Sequence, residues 1–452
     1  MPLRIQPSSL QQSCMYTIGK NFALICYGAR EKKQMSAMIM NDSYKAVEGP
    51  FKQMPGSLLS SIISFYMQNN LSDRRWHLHL LIQPQLNCIK LSHHDDVLSA
   101  LKMLITRCKS LTHLDLGFLN NVDPAILMQL VPTLRNIQVL KLNHSIILDQ
   151  ACDEIGKHCP HIVELDISHT YITDNGLQVF DCAGEWGLTM DDVYGNKTKK
   201  LQLRVLNSTN NYISPESFDV AVTLCPYIQN VTLSNAYIEN ELLYKIMAFD
   251  NLCHLRLTNS DNLTLDFQEG VLPILLIKGH QLLTLLLVKF ISIDIRVIGE
   301  CCPCLENLAL DMIGCYEEIM YPRENLFTQL KALEIWTDIT VDTLNGVILK
   351  QILSYSQDIR TLLVSSSVHF NDNILFDIWM DNPMRKLARI TLDKCPNISG
   401  ALLNCLLDME NDLTLIRARN CSCITRDNKI NLKKRIKDEN CDCYFEWYNY
   451  EG

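Results

Sequence analysis

The sequence predicts an α/β solenoid, a curved stack of strand–helix coils with a parallel sheet on its concave face and helices outside. Two observations carry that expectation. The pattern L-x-x-L-x-L, with Ile, Val or a small residue sometimes substituting, recurs thirteen times from Leu86 to Leu413, at steps of 23 to 30 residues apart from one of 41. Each copy is followed by an amphipathic stretch, so the apolar period changes from two to 3.6 within one repeat. A strand with alternate Leu residues buries one face, and the helix behind it closes the same coil. A single coil cannot shield these residues, so neighbours must stack, each large side chain contributing roughly 1.5–3 kcal/mol on burial.

Residues 1–80 precede the repeat. "SSLQQSCMYTIGKN", Ser8–Asn21, reads as a short helix with Ser9 in the capping position. Leu10, Cys14 and Ile18 stand four apart, which places them on one stripe. A polar, Met-rich stretch follows from Gly28 to Gly49. A second helix begins near Pro55, where Pro at an early helical position precedes Leu58, Leu59, Ile62, Ile63 and Tyr66. Solenoid ends need covering, so one expectation is that these helices cap the first coil.

The repeats occupy 81–425. "LTHLDL" from Leu111, "IVELDI" from Ile162, "LENLAL" from Leu305 and "LKALEI" from Leu330 are typical copies. The long step falls between Ile162 and Leu203, where "DCAGEWGLTMDDVYGNKTKK", Asp181–Lys200, reads as an inserted surface loop. Residues 426–452 read as a C-terminal cap, with the charged helix face "NLKKRIKDEN" and "CYFEWYNY" folded against the last coil.

In detail the pattern resembles the cysteine-containing leucine-rich repeat found in many ubiquitin-ligase receptors. "HCPHIVELDISHTYITDNGLQ" has a Cys-Pro that closes one helix, then a strand, then the start of the next helix. That family places a small polar residue or Cys five positions after the middle Leu, to bond backbone inside the turn. Ser145, Thr170, Asn211, Ser260, Cys395 and Cys421 fill the place, whereas Leu119, Phe290 and Ile313 do not.

The N-terminal helices carry two further resemblances. "SLQQSCMYTI" is similar to the box by which von Hippel–Lindau-type receptors bind elongin C, with Leu10, Cys14 and Ile18 at its contact positions. This is helix-in-groove recognition, and small Cys14 would let a partner approach closely at mid-helix. "MPGSLLSSI" resembles the cullin-2 box, filled by Met54, Pro55, Leu58 and Ile62; the place where a cullin-5 box prefers Pro is Ser57. Boxes and repeats together resemble the ZYG/Zer receptors of cullin-2 ubiquitin ligases, without their armadillo-like region. The resemblance implies a non-catalytic substrate receptor whose partners are elongin C with elongin B, cullin-2 and a protein substrate. Two alternatives stay open. The second helix also looks like the start of an F-box, although only 31 residues separate Met54 from Leu86, and an F-box receptor would bind Skp1 instead. A plain interaction scaffold would need neither adaptor.

Composition narrows the classes. The chain of 452 residues is 47% hydrophobic and 20% charged, a globular balance. A net charge of −9 argues against tracking phosphates. The most apolar stretch, Val271–Phe290, is broken by Lys278, His280, Gln281 and Lys289, so a membrane span is not expected. Nineteen cysteines without an apolar leader read as free thiols in cytosol or nucleus. No nucleophile elbow, phosphate loop or metalloprotease pattern occurs, so neither catalysis nor a cofactor is expected. The "CSC" at Cys421 and "CDC" at Cys441 space their thiolates too closely for a zinc site.

On the strands, residues between the Leu positions face the concave side. Most are polar, as in His113 with Asp115 and His254 with Arg256. Leu286, Val288, Trp336 and Leu363 are apolar there, and Asp311 and Glu334 stand among them. This set is the expected substrate patch.

Overall fold

The computed structural model describes residues 10–27, 37, 50–68, 78–91, 97–119, 122–173, 175, 205–207, 227–234, 239–260, 262–312, 325–337 and 346–449. Asp181–Lys200, Asn211 and Ile313 lie outside them. The chain forms two compact units, one spanning Ser8–Ile228 and the other Gln229–Gly452.

The first unit opens with helices α1 (Leu10–Lys20), α2 (Phe22–Tyr27), α3 (Gly56–Gln68) and α4 (Leu78–Leu81). Five parallel strands follow: β1 (Cys88–Lys90), β2 (His113–Asp115), β3 (Val139–Lys141), β4 (Glu164–Asp166) and β5 (Val205–Asn207), each paired with the next. Between them lie α5 (Val97–Arg107), α6 (Pro124–Leu130) and α7 (Asp149–His158). The second unit stacks nine parallel strands: β6 (Asn230–Ser234), β7 (His254–Thr258), β8 (Thr284–Phe290), β9 (Asn307–Met312), β10 (Ala332–Thr337), β11 (Thr361–Ser365), β12 (Arg389–Asp393), β13 (Leu415–Arg419) and β14 (Tyr444–Tyr448). Its helices are α8 (Asn240–Ile246), α9 (Leu272–Lys278), α10 (Ile295–Cys301), α11 (Gly346–Leu353), α12 (Asp372–Asp381), α13 (Gly400–Asp408) and α14 (Arg426–Asp438). Both units are leucine-rich-repeat-like, and every one of the thirteen pattern copies is a strand.

Register explains the pattern. Leu255, Leu285, Leu308, Leu333, Leu362, Ile390 and Ile416 are paired in sequence across β7 to β13, and all are buried. Their neighbours two residues on, Leu257, Leu287, Leu310, Ile335, Val364, Leu392 and Ala418, form a second buried rung. The residues between them stay half-exposed or exposed on the opposite face. β14 continues this sheet beyond the thirteen copies: Phe445 pairs with Ile416 and is buried, so the segment read as a cap consists of one more strand and α14.

Polar residues inside the turns close the coils. Ser145 Oγ accepts from Leu119 N at 3.1 Å and donates to Leu116 O at 3.3 Å. Thr170 Oγ1 donates to Ile167 O at 2.7 Å. The thiols of Cys395 and Cys421 lie 3.4 Å from Asp393 O and 3.3 Å from Arg419 O. Burial pushes the Cys395 thiol up to about 12 and raises that of Cys421 as well, so both are donors, not thiolates. In the coil containing Ser260 the work falls to its neighbour. Asn259 donates to Leu265 O at 2.7 Å and accepts from the backbone N–H groups of Ser260 and Leu265.

A second recurrence accompanies half of the strands. Phe118, His144 and His169 in the first unit, and Lys289, Ser366, Lys394 and Asn420 in the second, have φ between 50° and 66°. Six of them stand just after their strand, four residues beyond its first buried residue, whereas Lys289 lies inside β8 at the irregularity between Val288 and Phe290. In several coils the N–H of this left-handed residue donates to a carbonyl of the next one, as from Phe118 to Asn143, His144 to Ser168 and Asn420 to Tyr448. The bend thus adds one rung to the ladder, at a backbone cost of about 1–3 kcal/mol per non-glycine residue. Because the turns are stacked, the rings of Phe118, His144 and His169 are stacked too, with centroids 4.4 and 4.0 Å apart.

The sheet edge at β1 is covered by α3. Leu59, Ile62, Ile63 and Tyr66 form its buried face, and Ser60 Oγ donates to Cys88 O at 2.7 Å. Gln85 reaches back to accept this segment, its Nε2 donating to Lys52 O and Met54 O at 2.8 Å each. The approach is so close that a Cβ on Gly56 would lie 2.1 Å from Gln85 O. Gly56→Ala is therefore expected to lower stability by about 1–3 kcal/mol through overpacking of this contact. Thermal unfolding of the full chain, with loss of amide protection in α3 by hydrogen exchange, measures it.

Candidate functional site: two protein-binding surfaces

The first surface is built by α1, α2 and α3. Phe22 anchors it: it is 1% exposed and stacks on Phe51 at 5.5 Å, with Tyr66 of α3 at 5.3 Å. Such aromatic contacts add about 0.5–1.5 kcal/mol beyond the area they bury. Asn21 lies between α1 and α2; its N–H donates to Thr17 O at 3.1 Å and its carbonyl accepts from Ile25 N at 2.9 Å, so helical bonding runs on from α1 into α2. Met15, Ile18 and Gly19 are the half-buried side of α1, whereas Leu10, Ser13, Cys14, Tyr16 and Thr17 are exposed. Leu10 is 81% exposed. Of the stripe read from sequence, Leu10 and Cys14 face outward and Ile18 sits at its margin. Leu24 and Ile25 of α2 are also exposed, which spacing did not single out.

α3 divides in the same way. Pro55 precedes the helix and accepts from Leu58 N and Leu59 N, so it begins the first turn. Pro55 and Leu58 are exposed, and Met54 is half-buried. Ile62 is 6% exposed and belongs to the face that packs beneath the helix. Three of the four cullin-type positions are therefore accessible, while Ile62 holds α3 in place.

The second surface lies on the open face of the second unit's sheet. Register brings all six expected substrate residues onto four adjacent strands. Leu286, Ala309, Glu334 and Leu363 form one row across β8 to β11, and Val288, Asp311, Trp336 and Ser365 form the row beside it. Leu286, Val288, Asp311, Glu334, Trp336 and Leu363 are all half-buried. Burial raises the Asp311 carboxyl above the ordinary carboxylate range, with the Lys289 charge opposing that effect. Further along, the basic side chains are already engaged: Arg417 pairs with Glu446, and Arg419 lies 5.8 Å over the Tyr448 ring.

The first unit's open face is polar instead. Lys90 pairs with Asp115 at 3.3 Å and Lys141 with Glu164 at 2.7 Å. Among the described residues no group of three or more His, Cys, Asp or Glu side chains could hold a metal, and no helix is long and apolar enough to cross a membrane.

No family model matches the chain, and no curated protein aligns with it. Solved structures do. The crystal structure of the Rad7 and Elc1 complex in yeast provides a chain similar in fold at a TM-score of 0.54 and 14% identity, over 87% of this chain and 95% of that one. A TLR13–ssRNA13 complex aligns at a TM-score of 0.40 and 14% identity, over 86% of this chain and 48% of that one. An internalin from Listeria monocytogenes aligns at 0.42 and 14% identity, over 79% and 95%. At these identities the similarity is one of fold.

The two faces of the N-terminal helices predict opposite responses. Leu10→Asp, at an exposed position, should change stability by no more than about 0.5 kcal/mol. Phe22→Ala should cost about 3–5 kcal/mol locally by opening a cavity beneath α1. Denaturant melts and protease sensitivity of the two variants distinguish these outcomes.

Proposed function

We propose that the chain is the substrate-recognition subunit of a cullin–RING ubiquitin ligase of the elongin BC/cullin-2 type. The observation that carries this reading is the outward set of α1: Leu10 and Cys14 of the elongin-type box are exposed while Phe22, at the start of α2 directly behind it, pins the helical run to α3. A helix held from one side and bare on the other is ready to enter a partner's groove without first unfolding from its own domain. Leu10 would enter the elongin C pocket, with Cys14 beside it and Ile18 at the edge. Met54, Pro55 and Leu58 lie at the start of α3 and would meet cullin-2, with Ile62 supporting them from within.

Two further observations support it. Capping of the solenoid is performed by α3 through Ser60 and Gln85, which leaves the exposed face of α1 without a structural task. Rad7, similar in fold, was solved in a complex with Elc1, so a solenoid of this kind accommodates a bound protein partner. The substrate would be taken by the open face of β8 to β11. Such a receptor makes no bond itself; it raises the concentration of a substrate lysine near the carrier enzyme.

Capture from cell extract on the tagged full chain should retain elongin B, elongin C and cullin-2. Leu10→Asp should remove all three with the melting curve unchanged, and Leu58→Asp should remove cullin-2 alone. Alkylation of Cys14 by iodoacetamide, followed by mass spectrometry, should slow at least tenfold in the presence of purified elongin BC. Capture of Skp1 in place of elongin would establish the F-box alternative, and capture of neither would leave an interaction scaffold.

A further inference from the structure

On the reading of the β8–β11 face as the substrate surface, we infer that it takes an extended protein segment with an Arg or Lys between two apolar side chains. In the pattern apolar-x-basic-x-apolar, the outer residues lie on Leu286 and Leu363 and the cation lies among Glu334, Asp311 and Trp336.

The argument is one of spacing and charge. Register pairs Ala309 with Glu334 and Asp311 with Trp336 on β9 and β10. These four residues stand at the corners of a rectangle roughly 5 Å by 7 Å, set by the distance between strands and by two residues along one. The two carboxylates occupy one diagonal. Trp336 occupies a third corner, and Ala309 is the small one. A basic side chain fits this arrangement on three counts. Its stem passes over Ala309, its charge meets a carboxylate on either side, and its head lies against an indole ring, which attracts cations.

The apolar residues set the length of the occupant. Leu286 and Leu363 lie in the same row three strands apart, about 14 Å. Residues i and i+4 of an extended segment lie about 14 Å apart on one side, and residue i+2 falls midway, over the rectangle.

The polarity is fixed by the surroundings. Lys289 acts on Asp311, yet burial still outweighs it and leaves that carboxyl short of stabilising charge. Glu334 forms no ion pair among the described residues. Other cations of this unit are committed elsewhere: Lys331 binds Glu306 at 2.6 Å, Lys386 binds Asp358, and Arg417 binds Glu446. Arg256, paired in register with Leu286 on β7, disfavours a basic residue at that end and so places the cation centrally. The chain's net charge of −9 favours a basic partner at long range.

The test is selection of phage-displayed random twelve-residue peptides on the full chain, followed by fluorescence anisotropy with labelled Ac-Leu-Ser-Arg-Ser-Leu-amide and its Glu-centred counterpart. Selected peptides should carry a basic residue two positions from an apolar one on each side. Glu334→Lys and Trp336→Ala should each weaken the Arg peptide at least tenfold, and Glu334→Lys should reverse the preference toward the Glu peptide. Glu334→Gln, with the same shape, keeps the fold and should still lose at least threefold. Selected peptides without a basic centre, no selection at all, or equal binding by the variants would overturn the inference. Elongin capture on the same preparations separates the two readings. Capture of elongin without selection of basic peptides defeats only the ligand class, whereas basic peptides without adaptor capture defeat the ligase reading.

Discussion

Register between neighbouring coils is the constraint on which the rest of this structure depends. Within each unit, each strand pairs in parallel with the next so that leucine-type residues meet in buried rows. Backbone bonds and burial therefore act on the same alignment. A slip of one residue would turn every apolar side chain to the open face and every polar one into the core. The same alignment gathers Leu286, Glu334, Trp336 and their neighbours into one patch, although they are spread over some 77 residues of chain. The patch on that face is a by-product of how the core is held.

The turns show how firmly this register is kept. A left-handed backbone at Phe118, His144 or Asn420 is unfavourable in isolation, yet it recurs because the N–H it presents continues the ladder. The Phe118–His144–His169 ring stack is a visible outcome of that repetition. Buried Ser, Thr, Asn and Cys residues then satisfy the backbone groups that the narrow coil leaves over. Their identity varies because any short donor that reaches a carbonyl will serve, which is how Asn259 takes the place expected of Ser260.

How much of this could be read beforehand differs by element. The strands were legible because a six-residue pattern with three fixed apolar places is hard to produce by chance thirteen times. β14 was not, since only Phe445 keeps the apolar place and its flanks are aromatic and acidic. The left-handed positions were hidden as well, because none is glycine and Phe or Lys gives no hint of positive φ. In the candidate sites, the stripe of Leu10, Cys14 and Ile18 was visible from helical spacing. Its orientation was not: which side is bare depends on Phe22 meeting Phe51 and Tyr66, residues about thirty and forty-five positions away. Likewise Ile62 and Leu58 look equivalent on a helical wheel until α3 is seated on β1.

That seating of α3 ties two roles to one segment. A strand edge such as that of β1, stripped of its helix, is a template for pairing with another chain. Trimming away the first seventy residues to ask whether they recruit an adaptor would also uncover this edge, and the shortened protein would then polymerise. Absence of a partner in such an experiment would say nothing about recruitment; only changes at the bare side of α1, made with the cover left in place, can speak to it.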